Sequence, residues 1–326
     1  MMNTKSFAVL VATTFLGQVI AGPHGHGLQH LHQKRATITT EKTVTQWATV
    51  TVHKDETTPT PEALHNRSPG PANPGYNDVG STSSTSSTTS GGGWAKRGLA
   101  YNDPQLLRPL LGDGSKATWT YNWGQQDDSG TGLEFVPTLW GLKLDFAETW
   151  PANAQKAIDA GSKNLFSFNE PELAEQANMS PQLAAQKHIE LMNPFSGKAR
   201  IGSPSITNGV GPYHGIEYLQ QFFDACAGRC AVDFINIHIY GVDTNTFLNH
   251  LLNVHAAFNK PVWITEFAFD GTEDEINAQL ETVMDQIENN STYSFVEAYS
   301  YFMVRDGIMV RNGVPTKYGN TFAYHP

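Results

Sequence analysis

The alternation of short apolar runs with amphipathic segments, which begins at Gly98, constrains the fold of this chain more than any other feature. Eight runs of five to eight residues recur, at 98–102, 117–124, 135–141, 165–171, 200–206, 234–241, 262–269 and 296–303. Apolar residues three and four positions apart predict helices between several of them, at 153–160, 180–193, 217–226, 244–258 and 274–288. Short buried strands that alternate with helices indicate an α/β fold with a parallel sheet.

The number of runs selects among the α/β architectures. Eight strands with helices between them, within residues 98–326, predict a (β/α)8 TIM barrel. The alternative is an open doubly wound sheet, which usually carries a glycine-rich phosphate loop after its first strand. The segment GLAYNDPQ, at 98–105, lacks such a loop, so the barrel is favoured. The crossover between the first two strands is too short for a full helix.

The first 21 residues have the organisation of a secretory signal peptide. Lys5 precedes the apolar stretch FAVLVATTFLGQVIA, which ends in small residues and is short for a membrane span. We therefore expect residues 1–21 to be removed on export and the mature protein to be secreted.

Residues 22–97 lack the pattern of a folded domain. The stretch 22–35 is rich in histidine and ends in a dibasic pair, which predicts a pro-segment; metal binding by its histidines is the alternative. Residues 36–97 are rich in Thr, Ser and Gly, a composition that buries too little apolar surface to fold. We expect a disordered low-complexity region and linker there. Its last two residues, Lys96 and Arg97, either form a second cleavage site or begin the folded domain.

The acidic balance limits the classes of partner. The formal net charge is −10, and the chain has no basic stripe that would follow a phosphate backbone. We expect no nucleic acid and no membrane partner, and a monomer that acts on a neutral or cationic substrate.

The two cysteines, Cys226 and Cys230, lie close together in DACAGRC. A close pair in an exported protein predicts a local disulfide, which would contribute about 2 kcal/mol by loop entropy. Half of a metal site is the alternative, and the absence of a second cysteine pair disfavours it. Glycosylation sequons occur at Asn66, Asn178, Asn289 and Asn290.

Polar and aromatic residues recur where the predicted strands end. In a barrel the active site lies at the C-terminal ends of the strands, so these positions are informative. The residues are Asn102, Trp123, Trp140, Asn169, Glu170, His238, Tyr240, Glu266 and Tyr301.

Two carboxylates stand out among them, because each ends an apolar run. Glu170 follows the fourth run in LFSFNEPE, and Glu266 lies near the end of the seventh in WITEF. Either glutamate alone is more often a structural ion pair or a strand end that meets solvent. Together they match glycoside hydrolysis, which needs one protonated carboxyl group and one ionised carboxylate. A separation of about 5 Å would indicate a retaining mechanism.

The segments KRGLAYN, YNWG, VPTLWG, FNEP, HIYG and WITEF resemble glycoside hydrolase family 128, a family of the retaining clan A hydrolases. The resemblance covers residue 96 to about residue 324. It implies that residues 98–326 are a catalytic domain with endo-acting, retaining β-1,3-glucanase activity and no metal or cofactor.

The resemblance also implies roles for individual residues. Glu170 would be the general acid/base and Glu266 the nucleophile. Asn169 would bond the 2-hydroxyl of the sugar, and Tyr240 would hydrogen-bond Glu266. His238 shares the strand face of Tyr240 and points inward. The alternatives are a core aromatic at Tyr240 and a satisfied core histidine at His238.

Aromatic residues at the strand ends are candidate platforms for sugar rings, because aromatic faces pack on apolar faces of pyranoses. Trp123 and Trp140 are the candidates, and Tyr301 and Phe302 are further candidates, with core packing or a helix contact as the alternative for each. Many clan A barrels carry a tryptophan on the eighth strand, where AYSYF offers tyrosine and phenylalanine.

These observations predict a secreted retaining hydrolase of cell-wall β-1,3-glucan, with β-glucan and the fungal cell wall as partners. An endo-hydrolase on another β-glycan, such as mannan or β-1,4-glucan, is one alternative. A non-catalytic glucan-binding wall protein is the other. The chain contains neither H-E-x-x-H nor G-x-S-x-G, so zinc peptidase and serine hydrolase chemistry have no support.

Overall fold

A computed structural model of the chain describes residues 96–326 together with two short strands, Val11–Thr13 and Val44–Gln46, which pair antiparallel. The predictions of a signal peptide, a pro-segment and a linker fall otherwise on residues outside this description. Within the described part of the chain, no helix is both long and apolar enough to cross a membrane.

The folded part has ten strands. Eight of them overlap the predicted runs, and the last two form a short C-terminal hairpin. They are β1 (Arg97–Tyr101), β2 (Ala117–Tyr121), β3 (Glu134–Phe135), β4 (Asn164–Leu165), β5 (Arg200–Ile201), β6 (Ile235–Ile239), β7 (Val262–Phe267), β8 (Val296–Val304), β9 (Val310–Arg311) and β10 (Val314–Pro315). Six form one parallel sheet in the order β3-β2-β1-β8-β7-β6, and β4 pairs with β5 in a separate parallel sheet.

The predicted α/β fold with a parallel sheet is therefore confirmed. The sheet order follows the chain except where β8 closes against β1, which is the pairing that a barrel requires. Since β3, β4 and β5 have two residues each, the complete eight-stranded barrel stays a prediction.

Six α-helices cover the sheet in the described residues; the first five overlap the predicted segments, and the sixth was not predicted. They are α1 (Phe146–Asp159), α2 (Pro181–Leu191), α3 (Gly215–Cys226), α4 (Thr244–Phe258), α5 (Glu273–Asn289) and α6 (Lys317–Tyr324). The connection from β1 to β2 holds only a 3-10 helix, Pro104–Leu110, as the short crossover predicts. Two further 3-10 helices are Asn193–Phe195 and Ser291–Tyr293.

Local sequence explains where these helices begin. At α2 the side chain of Ser180 accepts from the Leu183 N–H and Pro181 occupies the first turn, where its missing N–H costs nothing. At α5, Thr272 and Glu275 form a reciprocal capping box.

An aromatic cluster fills the space beneath the strand ends. Trp263 of β7 lies 5.2 Å from Trp119 of β2 and 4.7 Å from Phe234, measured between ring centroids. Phe166, which follows β4, contacts both tryptophans edge to face. Gly98 leaves room for this cluster, because a Cβ there would lie 2.1 Å from the Trp119 indole.

Arg97 begins β1 inside the folded part. Its buried guanidinium bonds Glu288 at 2.7 Å and the carbonyl of His325 at 2.6 Å. Lys96 donates its Nζ–H to the Ile287 carbonyl at 2.8 Å. The second dibasic pair is thus joined to α5 and to the C-terminal segment.

The predicted disulfide between Cys226 and Cys230 is confirmed. It fastens the C-terminal end of α3 to the loop that leads into β6.

Candidate active site

The two predicted carboxylates meet at the strand ends. One oxygen of Glu170, one oxygen of Glu266 and one ring nitrogen of His238 all lie within 4.8 Å of one another. The exposed fractions of the three residues are 0 %, 0 % and 1 %. Three titratable groups that are this close and this buried interact strongly, because neither water nor distance screens them.

Glu170 lies beyond the short strand β4, in an unusual backbone conformation. Its φ is +44°, in the left-handed region that costs a non-glycine residue about 1 kcal/mol or more. Its N–H donates to the Ser205 carbonyl at 2.8 Å, so the loop after β5 supports the strained residue. Its side-chain Oε1 lies 2.8 Å from Nδ1 of His238.

Glu266 is held by three side chains, one from the end of β2 and two from β6 and its end. Trp123, just after β2, donates its Nε1–H to Oε1 at 2.7 Å. Tyr240, just after β6, donates its hydroxyl to Oε2 at 2.5 Å. Nδ1 of His238 lies 3.5 Å from Oε1. The two donors orient both oxygens of the carboxylate.

Trp123 lies where the sequence predicted a sugar platform, and its contacts describe an additional role. The indole is buried and donates its Nε1–H to Glu266, and the backbone φ of Trp123 is +59°. Its ring packs edge to face against Phe302, with centroids 5.6 Å apart. Binding of a sugar by Trp123 remains a prediction.

Asn169 and Trp140 lie beside each other next to Glu170. The Asn169 N–H donates to the Trp140 carbonyl at 2.9 Å, and its amide donates to Gln176 Oε1 at 3.3 Å. The Trp140 ring is buried, with the Nζ of Lys143 5.8 Å from its centroid. Their contacts with substrate remain predictions.

Tyr301 and Phe302 point to opposite sides of β8, as consecutive strand residues do. Tyr301 packs between Phe267 and Tyr318, with centroids 5.2 and 5.6 Å away, and this side of β8 carries α6. Phe302 instead contacts Trp123 and Tyr240, which both hold Glu266. The structure therefore brings Phe302, and not Tyr301, to the carboxylates.

Sequence analysis missed Tyr121 and Thr265. The buried hydroxyl of Tyr121 donates to the Thr265 carbonyl at 2.7 Å. Burial raises the pKa of Tyr121, and the negative charges of Glu266 and Glu170 raise it further, so the phenol keeps its proton. Tyr121 and Thr265 carry no motif of their own, and only the placement of Thr265 beside Glu266 could have drawn attention to it.

Glu172 belongs to the same turn as Glu170 and has a structural task. Its Oε1 accepts the Thr207 N–H at 2.6 Å, which ties the turn after β4 to the loop after β5. Burial raises the pKa of Glu172.

The chemistry of this arrangement is narrow. A divalent cation could be shared by Glu170, His238 and Glu266, which are close enough for this. Instead these side chains contact one another, and Glu266 also accepts hydrogen bonds from Trp123 and Tyr240. This arrangement suits proton transfer and nucleophilic attack. Two buried carboxyl groups at this separation, at the strand ends of a parallel α/β sheet, define a glycoside hydrolase.

Comparison with known proteins refines that class. Residues 98–322 match the family model described as glycosyl hydrolase catalytic core. The chain belongs to glycoside hydrolase family 128.

Two solved structures illustrate the likeness. A curdlan-specific exo-β-1,3-glucanase of subgroup III from Blastomyces gilchristii, in complex with glucose, is 38 % identical; the match covers 71 % of this chain and 98 % of that one, with a TM-score of 0.65. An endo-β-1,3-glucanase of subgroup I from Amycolatopsis mediterranei, in complex with laminaritriose, is 26 % identical, covers 70 % and 98 % of the two chains, and has a TM-score of 0.57.

A curated relative is the alkali-sensitive linkage protein 1 of Schizosaccharomyces pombe. It is 27 % identical over 196 residues, which are 56 % of this chain. The match spans 34 % of the relative's own length, so the chain corresponds to about a third of that protein.

Proposed function

We propose that this hydrolase cleaves β-1,3-glucan with retention of anomeric configuration, with Glu170 as general acid/base and Glu266 as nucleophile. The observation that carries the proposal is the approach of the two carboxyl groups to within 4.8 Å, measured between oxygens. Retaining enzymes hold the pair at about 5–5.5 Å, whereas inverting enzymes leave about 6.5–9.5 Å for a water molecule.

The first step forms a glycosyl-enzyme. Glu170 donates its proton to the glycosidic oxygen while an oxygen of Glu266 attacks the anomeric carbon from the opposite face. The bond to the leaving sugar breaks, that sugar departs as an alcohol, and the donor sugar becomes an ester of Glu266. Glu170 is then a carboxylate.

The second step releases the sugar. Glu170 accepts a proton from water, the resulting hydroxide oxygen attacks the anomeric carbon, and the ester bond to Glu266 breaks. Both carboxyl groups return to their starting protonation. Trp123 and Tyr240 keep the attacking oxygens of Glu266 in place, because their hydrogen bonds fix the plane of the carboxylate.

The burial of the pair supports this division of roles. Two ionised carboxylates within 4.8 Å repel each other, so one proton is held in the cluster. Each oxygen of Glu266 already accepts a hydrogen bond, one from Trp123 and one from Tyr240. The proton therefore resides on the side of Glu170 and His238, where an acid is needed.

The substrate class is supported by the two similar solved structures, which are both β-1,3-glucanases. Endo action is our expectation, and one similar fungal enzyme is exo-acting. The product profile tests this point: a ladder of oligosaccharides from laminarin indicates endo action, and a single small product indicates exo action.

The test of the function is a panel of polysaccharides read by new reducing ends. Laminarin and curdlan should release them, and mannan and β-1,4-glucan should not. NMR of the first product gives the anomer, and β-product indicates retention. Release from mannan or β-1,4-glucan alone would contradict the substrate, and glucan binding without hydrolysis would favour a binding protein.

The closed eight-stranded barrel is part of the same proposal. Isolated parallel bridges support it, because Thr138 pairs with Phe166 beyond β3 and β4, and Gly202 pairs with Phe234 between β5 and β6. The N-terminal sequence supports secretion and a location at the fungal cell wall. A secretion assay that detects the protein only inside cells would contradict this location.

A further inference from the structure

Thr265, the residue before Glu266, lies in a bulge of β7. Two consecutive residues of β6 pair with Ile264 and Glu266, so Thr265 is the extra residue in that ladder. The ladder to β8 likewise counts one extra residue between Ile264 and Phe267. An extra residue reverses the face to which the following side chains point.

The bulge lets two neighbouring side chains reach the same set of residues. Thr265 contacts His238, and Glu266 contacts Tyr240. His238 and Tyr240 project from the same face of β6 and its end. In a regular strand consecutive side chains point to opposite faces, so Thr265 and Glu266 could not both do this. The bulge therefore delivers Glu266 to the site.

The carbonyl of Thr265 is satisfied from another strand. Tyr121 of β2 donates its hydroxyl to that carbonyl at 2.7 Å, and the contact is buried. A buried carbonyl that lost this donor would be destabilised, because water does not replace the hydrogen bond there. Tyr121 therefore stabilises the bulge from across the interior.

The hydroxyl of Thr265 contacts two other side chains, those of Asn236 and His238. It donates to Oδ1 of Asn236 at 2.6 Å, so the hydrogen between Thr265 and His238 belongs to Nε2 of the imidazole, 3.0 Å away. Nδ1 of His238 then faces Oε1 of Glu170 at 2.8 Å. A series of hydrogen bonds therefore runs from Asn236 through Thr265 and His238 to Glu170, the proposed acid.

We propose that Thr265 is a positioning residue for both catalytic carboxyl groups. Its carbonyl, held by Tyr121, sets the direction of Glu266, and its hydroxyl, through His238, sets the orientation of Glu170. This inference rests on the proposed function of the two glutamates.

The leaving group of the substrate separates the two halves of the proposal. Laminarin needs a proton from Glu170 for bond cleavage, whereas 2,4-dinitrophenyl β-laminaribioside does not, because dinitrophenolate leaves unprotonated. Thr265→Val should lower kcat/KM on laminarin about tenfold and leave kcat/KM on the aryl glycoside within about twofold of wild type. Thr265→Ser restores the hydroxyl and should recover most of the loss.

Tyr121→Phe removes the donor to the carbonyl and should act through Glu266. Both substrates need the nucleophile, so kcat/KM should fall about tenfold on laminarin and on the aryl glycoside alike. Thr282→Val, an exposed threonine on α5, is the matched control and should change neither value.

Three results would overturn the inference: equal loss on both substrates in Thr265→Val, no loss on laminarin, or no recovery in Thr265→Ser. Thermal unfolding checks that each variant folds, and Thr265→Cys, with a weaker donor, replaces the valine variant if that one does not fold. A wild-type enzyme that releases no sugar from laminarin would instead overturn the proposed function and this inference with it. A wild-type enzyme that is active beside an unaffected Thr265→Val overturns the inference alone.

Discussion

The ends of β4 and β7 deliver the two carboxylates by different physical means. At the end of β4 the irregularity is in Glu170 itself, whose backbone is left-handed and whose N–H is held by the loop after β5. At the end of β7 the irregularity precedes the carboxylate, in the bulge at Thr265, and Glu266 lies within a six-residue strand.

The difference corresponds to the tasks that the proposed mechanism gives the two groups. In that mechanism Glu266 forms a bond to carbon, so a fixed direction of attack serves it, and three donors or neighbours converge on its oxygens. Glu170 would give up and recover a proton, and His238 is its hydrogen-bond partner at 2.8 Å. A strained turn allows the acid to be aimed without a long strand behind it.

The largest effects should come from the carboxyl groups themselves. Glu170→Gln and Glu266→Gln should each lower kcat on laminarin at least about 10²-fold, the usual scale of acid/base loss. On the dinitrophenyl glycoside, Glu170→Gln should keep rapid release of the first dinitrophenolate, because that step needs no acid, and Glu266→Gln should not.

Glu190→Gln, an exposed carboxylate on α2, is the control for this pair and should keep wild-type turnover. A variant of Glu170 or Glu266 with near-wild-type activity on laminarin would remove that residue from the mechanism.

A fall in pH should lower the stability of the segment around β4. His188 of α2 lies 3.1 Å from Ser167 in the β4 segment, and burial lowers the pKa of His188 to about 4. The unfolded histidine, with a pKa of about 6.5, binds a proton more readily, so this stabilisation is complete above pH 6.5 and is lost as the pH falls towards 4. The loss is about 3 kcal/mol, at about 1.36 kcal/mol per pH unit.

Urea unfolding at pH 7 and pH 4 measures this loss. Wild type should lose about 3 kcal/mol more than His188→Gln over the interval. Equal losses in wild type and His188→Gln would contradict the role of burial. Hydrogen exchange should quicken first at residues 165–169 and only later at 262–267.

The disulfide should stabilise the protein without affecting either strand end. Replacement of Cys226 and Cys230 by alanine should lower the free energy of unfolding by about 2 kcal/mol through loop entropy. The pair precedes the start of β6, and His238 lies at the other end of that strand, so kcat on laminarin should stay within about twofold. A large loss of turnover would show that the bridge positions β6.

A smaller effect should follow from one hydrogen bond at the β7 end. Tyr240→Phe removes the donor to Oε2 of Glu266 and should lower kcat about tenfold, roughly 1.4 kcal/mol. Tyr324→Phe, which loses a hydroxyl that bonds Pro109 and Gly112, is the control and should lower the melting temperature with kcat unchanged. An unchanged kcat in Tyr240→Phe would mean that the other neighbours of Glu266 orient it without this hydrogen bond.

Local pattern explains why much of the fold could be predicted. The apolar runs and helix caps depend on neighbours within a few residues, and β6, β7 and α2 through α5 follow them closely. The strand face shared by His238 and Tyr240 also follows from the two-residue repeat, and both residues contact the carboxylates. Glu170 and Glu266 were identifiable because each ends an apolar run.

Other features could not be predicted from residues that are neighbours in the sequence. The repeat by itself would place Thr265 and Glu266 on opposite faces, and only pairing with β6 and β8 creates the bulge that corrects this. The sequence favoured Tyr301 over Phe302, and only the position of α6 showed that the Tyr301 side of β8 faces outward. The hydrogen bond from Trp123 to Glu266 joins residues 143 positions apart.

The sequence by itself therefore determined the α/β class, the order of strands and helices and which two carboxyl groups end apolar runs, because periodicity and residue chemistry act over short distances. Only the tertiary structure decided their separation, the partners that orient them and the backbone irregularities that aim them. These depend on register between strands far apart in the chain, which is set by the packing of the whole sheet.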